Sequence, residues 1–206
     1  LGWGFLDLLA AALMGFMILR MGVELAWGAL KELIDTGLDD AQVEVIHATL
    51  LATPGVRGLH ELRTRRMAHQ ALVDAHVLVD ARISVSEGHR IAESARAAVL
   101  KEHPDVLDVL VHIDPEDDLG PDFGVASLPS REALLEELGV LLASLPAPEH
   151  VVLHYLGGRV EVEVFLAHDV FADISGLRAA EAMLAERIKD HPAIRSISLN
   201  FRIAPK

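Results

Sequence analysis

The sequence predicts an α+β protein in which an N-terminal apolar helix, expected to cross a membrane, precedes two small αββαβ domains. Three observations carry this expectation. The chain opens on an apolar stretch rich in helix formers; after it the periodicity switches between helical and alternating; and the same order of segments recurs further on.

From Leu1 to about Leu30 helix formers dominate, yet the longest charge-free apolar run goes only from Leu8 to Leu19. A spanning helix needs roughly 20 apolar residues, so Asp7 and either Arg20 or Glu24 must be tolerated inside the span. A helix packed on a soluble partner is the rival reading. If the helix spans, Arg20 and Lys31 at its downstream end place the remainder in the cytoplasm. The chain starts at Leu1 without the basic region of a signal peptide, and it reads as the downstream part of a longer protein.

After the turn-like Asp35-Thr36-Gly37, residues Asp40 to Ala52 predict a helix with Val43, Ile46, Leu50 and Leu51 near one face, ended by Pro54-Gly55. A strand is expected from Gly58 to about Arg65. A second runs from Ala71 to Ile83, where Asp74, His76 and Asp80 alternate with Val73, Ala75, Val77 and Val79. Ser84 and Glu87 have capping-box spacing and open a helix to Glu102; Val106 to Ile113 is the third strand, its core face made by Leu107, Val109, Val111 and Ile113. A Pro/Gly-containing acidic linker follows, and the order then repeats: helix Arg131 to Leu145, strands Val151 to Leu156 and Val160 to Leu166 around Gly157-Gly158, helix Ser175 to Lys189, strand Ile194 to Ile203. The expected organisation is helix 1–34, first domain 35–117, linker 118–129 and second domain 130–206.

A net charge of -13 argues against a nucleic-acid surface, and the absence of cysteine leaves imidazole and carboxylate as the strong metal ligands. His60, His76, His89, His112 and Asp114 fall on different segments of the first domain, each where its side chain can point away from the apolar core. His112 and Asp114 are two apart on one strand and share a face, and His76 lies on the polar face of its strand. His89 sits opposite the helix stripe Ile91, Ala95, Ala98 and Val99, while His60 has no orientation legible from pattern. This donor set suits Zn²⁺, with Fe²⁺, Mn²⁺, Co²⁺ or Ni²⁺ as the alternatives. Local matches such as Leu59-His60-Glu61-Leu62 with Leu153-His154-Tyr155-Leu156 put His154 at His60, Glu163 at His76, Leu177 at His89, Arg202 at His112 and Ala204 at Asp114. The second domain is therefore expected to lack the site, with His150, His154 or His168 left as candidates for a residual one.

The segments Leu19-Arg20-Met21-Gly22-Val23-Glu24, Leu33-Ile34-Asp35, Leu59-His60-Glu61-Leu62-Arg63-Thr64-Arg65 and Val111-His112-Ile113-Asp114-Pro115 resemble the end of a cation diffusion facilitator exporter, most closely its bacterial zinc and ferrous-iron efflux branch. The resemblance covers Leu1 to about Asp117. It implies that residues 1 to about 30 are the last transmembrane helix in a bacterial inner membrane, and that residues 35–206 are cytoplasmic. It further implies a ferredoxin-like domain that forms a homodimer and binds divalent cations through His60, His76, His89, His112 and Asp114, and a metal/proton antiporter rather than an enzyme. Asp35 matches an acidic residue that in relatives pairs with a lysine of an earlier helix to lock the dimer; that lysine is not in this sequence. The resemblance does not extend to the second domain, expected to be a degenerate copy of the first. A self-contained metal-binding or metallochaperone module is the alternative, and a metallohydrolase a more remote one.

Overall fold

The computed structural model describes residues 4–33, 36–67, 69–117, 128–167, 170–171 and 173–202. Helix α1, Gly4–Leu33, is exposed along the whole of its described surface. Its segment Gly4–Leu30 is long and apolar enough, by length and composition, to cross a membrane. At 1.5 Å per residue α1 is about 45 Å long, against a hydrocarbon core of about 30 Å, so roughly ten residues extend beyond it if the helix crosses. Arg20 and Glu24, one turn apart, form an ion pair at 2.9 Å that neutralises the two charges within the apolar stretch.

The chain divides into two compact units at Asp114/Pro115. In the first, α2 (Asp40–Leu51) starts where the Asp39 carboxylate accepts a hydrogen bond from the Gln42 N–H, and it buries Ile46 and Leu50. Leu51, expected on the same face, is instead exposed, because its register on α2 turns it past the buried stripe of Ile46 and Leu50. Gly55 then reverses the chain at φ +95°, and a Cβ there would lie 2.7 Å from Ile91. Strands β1 (Gly58–Met67) and β2 (Gln70–Leu78) pair antiparallel; β2 continues through α3 (Val85–Glu102) to β3 (Val106–Asp114), which pairs parallel on its other side.

The second strand ends earlier than alternation suggests. Residues beyond Val79 enter a turn because the Asp80 side chain accepts from the Arg82 N–H and its carbonyl from the Ile83 N–H. Ser84 caps α3 as its spacing predicts, accepting from the Glu87 N–H at 3.2 Å. One face of the sheet packs Val73, Ala75, Val106 and Val109 against Ile46 and Leu50 of α2 and Ala95 and Val99 of α3. Leu107 does not join that core and is exposed. The pairing steps from Ala71 with Val106 to Leu72 with Asp108, which leaves Leu107 out of the ladder. The other sheet face carries Glu61, His76 and His112 in one row and Arg63, Asp74 and Leu110 in the next.

The second unit has the same order: α4 (Arg131–Leu141), β4 (His150–Leu156), β5 (Arg159–Ala167), α5 (Ile174–Ile188) and β6 (Ile194–Arg202), with β5 central. Gly157 and Gly158, at φ +55° and +67°, make the tight hairpin that their dipeptide predicts. The parallel pair again steps, here from Val160 with Ile194 to Glu161 with Ser196. Counting from that shared irregularity corrects the residue equivalences read from local sequence matches. Phe165, not Glu163, stands at the position of His76; Asn200, not Arg202, at that of His112; and Arg202, not Ala204, at that of Asp114. His154 stands at Arg65 rather than at His60, and counting from the helix caps Ser84 and Asp173 puts Arg178, not Leu177, at His89. Both hairpins close through two residues, Met67 pairing with Gln70 and Leu156 with Arg159, so the likeness of Leu59-His60-Glu61-Leu62 to Leu153-His154-Tyr155-Leu156 is local and out of register with the strand pairing. Ala204 and His168 lie outside the described residues.

The left-handed backbone at Gly55 and its contact with Ile91 yield a test. Gly55→Ala is expected to destabilise the first unit by about 1–3 kcal/mol, read as a lower midpoint in urea-induced loss of circular dichroism.

Candidate metal centre

The sheet's uncovered face holds a charged group that is nonetheless buried. Asp114 closes β3, and its side chain is 4% exposed. Pattern placed it on the face away from the apolar core, and so it is, but three imidazoles shield it from solvent. The His60 Nε2 and the His76 Nδ1 each lie 3.0 Å from its Oδ2, and the His112 Nδ1 lies 2.7 Å from its Oδ1. An ionised carboxylate only accepts, so each nitrogen facing it donates a hydrogen. Burial pushes the Asp114 carboxyl up, but the hydrogen bonds from His112 and His76, the charge at His112 and the bond from His60 outweigh it, and the group stays below its ordinary 3.8.

The three strands supply their histidines by two devices. His76 and His112 are directly paired across β2 and β3, their rings tilted at 42° with centroids 4.6 Å apart. His60, which pattern could not orient, sits at a β-bulge: pairing steps from Leu59 with Val77 to Glu61 with His76, leaving His60 as the extra residue. Its side chain is thereby turned onto Asp114 and is 6% exposed.

His60, His76 and Asp114 offer one ligand atom each, all within 4.8 Å of one another. Ligands about 2.0–2.1 Å from a tetrahedral ion stand about 3.4 Å apart, so small side-chain rotations would close the set around one cation. Imidazole and carboxylate are the borderline donors that first-row divalent ions take, and the set fits such an ion. His112 lies on the other carboxylate oxygen, where it could complete that site or hold a second ion bridged by Asp114. His89 is not brought to the cluster in this chain. It is exposed on α3, beside Glu93, Arg96, Asp108 and Leu110 in a groove along the edge strand β3. Asp35 lies outside the described residues.

One residue of the neighbourhood escaped the sequence reading. Alternation would put Glu61 and His60 on opposite faces, but the bulge lets Glu61 share the row of His76 while His60 reaches Asp114. The Glu61 Oε2 lies 3.6 Å from the His76 Nε2, and its Oε1 takes an ion pair from Arg63 at 2.6 Å. In the second unit the corresponding sheet face pairs His154 with Glu163 at 3.3 Å and Arg195 with Glu161 at 3.1 Å.

Residues 38–116 match the cytoplasmic domain of cation efflux proteins. The chain is 38% identical over 115 residues to metal tolerance protein C1 of Arabidopsis thaliana and 32% identical over 114 residues to the cation-efflux pump FieF of Klebsiella pneumoniae. These matches cover 56% and 55% of this chain but 24% and 38% of the relatives, so the chain spans well under half their length. A solved structure of a MamM CTD variant in a cadmium form is 26% identical, covers 38% of this chain and 98% of that one, and superposes with a TM-score of 0.37.

The lowered Asp114 pKa has a signed consequence. A depressed carboxyl contributes stability that is present above its unfolded pKa and is lost as pH falls through the folded one. In the metal-free protein the Asp114 carboxyl ¹³C resonance should titrate below 3.8, and stability should drop across that same acid range. Asp114→Asn should flatten that drop, as followed by urea midpoints between pH 5 and pH 2.5.

Proposed function

We propose that this chain is the C-terminal part of a divalent-cation exporter of the cation diffusion facilitator family, in which residues 38–116 bind metal and govern dimerisation. The convergence of His60, His76 and His112 on a buried Asp114, inside the stretch that matches a cation efflux cytoplasmic domain, carries this reading. α1 is then the last membrane-spanning helix, and the following residues lie in the cytoplasm of a bacterial cell. Its apolar exposed surface supports that placement, since Leu8, Leu9, Phe16, Ile18 and Leu25 have no covering within the chain.

Zinc is the preferred ion, with ferrous iron next; the imidazole and carboxylate donors of His60, His76 and Asp114 are ones that Zn²⁺ takes. Metal/proton antiport by the complete transporter belongs to this proposal, as does the absence of enzymatic activity from the chain. The uncovered sheet face, with Leu110 69% exposed beside the metal residues, is the surface on which a second copy would pair. An ion that binds the paired state more tightly than the separated one shifts the equilibrium toward pairing by that difference in affinity. The second unit is a degenerate copy that extends the dimer contact. Its shared strand order and register step support common descent, and Phe165, Asn200 and Arg202 at the ligand positions support loss of the metal site.

Sedimentation of the full chain in detergent tests the reading. Zinc should raise the dimer fraction, His112→Ala with Asp114→Ala should abolish the response, and acidification from pH 7.5 to 5.5 should weaken it because metal competes with protons for imidazole. Unchanged sedimentation of both proteins with and without zinc would contradict the proposal.

A further inference from the structure

Glu61 stands beside the three-histidine cluster without facing Asp114, and its surroundings define a chemical role. His76 faces Asp114 through Nδ1, the atom it would offer to a metal, and faces Glu61 through Nε2. A neutral imidazole carries one hydrogen. In the metal-free arrangement that hydrogen is on Nδ1, because the Asp114 oxygen it meets can only accept. A cation can take Nδ1 only if that lone pair is free, and the hydrogen must then be on Nε2. The group that Nε2 would meet is the Glu61 carboxylate, 3.6 Å away and 22% exposed. That separation is slightly longer than a hydrogen bond, so in the metal-free form the contact is unmade, and a shift of a few tenths of an ångström would close it. Arg63 holds the other Glu61 oxygen at 2.6 Å, which fixes the carboxylate in the row of His76 rather than leaving it to swing into solvent.

We propose that Glu61, held by Arg63, is a positioning residue of the metal centre, receiving the Nε2 hydrogen of His76 and so selecting the tautomer whose Nδ1 binds a divalent cation. This rests on the metal-binding reading of His60, His76 and Asp114. It adds to that set a carboxylate–histidine–metal relay whose outer member is not itself a ligand. Such outer partners typically change metal affinity about 10- to 100-fold when removed. The role requires a hydrogen-bond acceptor at Glu61 rather than a charge, so an amide should serve in part where a methyl cannot.

The test uses the full chain in detergent, with zinc affinity measured by competition with a chromophoric chelator. Long-range ¹H–¹⁵N correlations of the histidine rings in the zinc-loaded protein report which nitrogen of His76 carries hydrogen. Glu61→Ala should weaken zinc binding about 10- to 100-fold without shifting the metal-free unfolding midpoint, Glu61→Gln should recover part of the loss, and the loaded unaltered chain should show His76 protonated at Nε2. If Glu61→Ala binds zinc as the unaltered chain does while Asp114→Ala does not, the positioning role is wrong and the metal centre stands. If Glu61→Gln is as impaired as Glu61→Ala, or the Nε2 hydrogen is absent, the acceptor role is overturned. If Asp114→Ala binds zinc normally, the metal-centre reading fails and this inference fails with it.

Discussion

A carboxylate buried at the end of β3 needs partners, because an ionised group removed from water costs several kcal/mol unless it is paired and hydrogen-bonded. Asp114 meets that requirement with imidazoles from β1, β2 and β3, so all three strands must be in register for the charge to be tolerated. Metal-free, the ring N–H groups satisfy the carboxylate; with a cation between them, ring lone pairs and the same oxygens satisfy the ion. The ligand atoms of His60, His76 and Asp114 already lie within 4.8 Å of one another, close to the spacing that one cation requires.

Two interruptions of regular pairing shape the sheet. The bulge at His60 breaks the alternation of β1 just where two neighbouring side chains must serve one site, sending His60 to Asp114 and leaving Glu61 in the row of His76. The step between Ala71 and Leu72 expels Leu107 from the ladder and sets β3 so that His112 faces His76 and Asp114 faces Leu78. A one-residue slip would send His112 and Asp114 to the helix-covered face. The second unit keeps the corresponding step between Val160 and Glu161 while carrying none of the ligands, which separates the demands of the fold from those of the metal. The step belongs to how the parallel strands meet, independent of which side chains the outer face carries.

α1 poses a different constraint. Its described apolar residues face outward on every side, a surface that lipid or partner helices would have to cover. The Arg20 and Glu24 pair shows how charge can sit in such a helix, one turn apart and mutually neutralising. Under the proposed function the helix ties the metal-responsive domain to the bilayer, and a change in pairing of that domain would be felt at its downstream end.

Much of this was legible in the amino-acid order. The cap at Ser84, the Gly157-Gly158 hairpin, the core stripes of α3 and β2 and the shared face of His112 and Asp114 all follow from local geometry, because caps, turns and the two periodicities depend on neighbours a few residues away. The donor types and the missing thiols already restricted the chemistry to imidazole and carboxylate. Tertiary structure alone decided where β2 stops, that Asp114 is buried, that a bulge turns His60 inward and brings Glu61 beside His76, and which residues of the second unit occupy the ligand positions. Each of these turns on strand register or on enclosure by distant segments, and register is set by pairing across the sheet, a property that no stretch of sequence carries by itself.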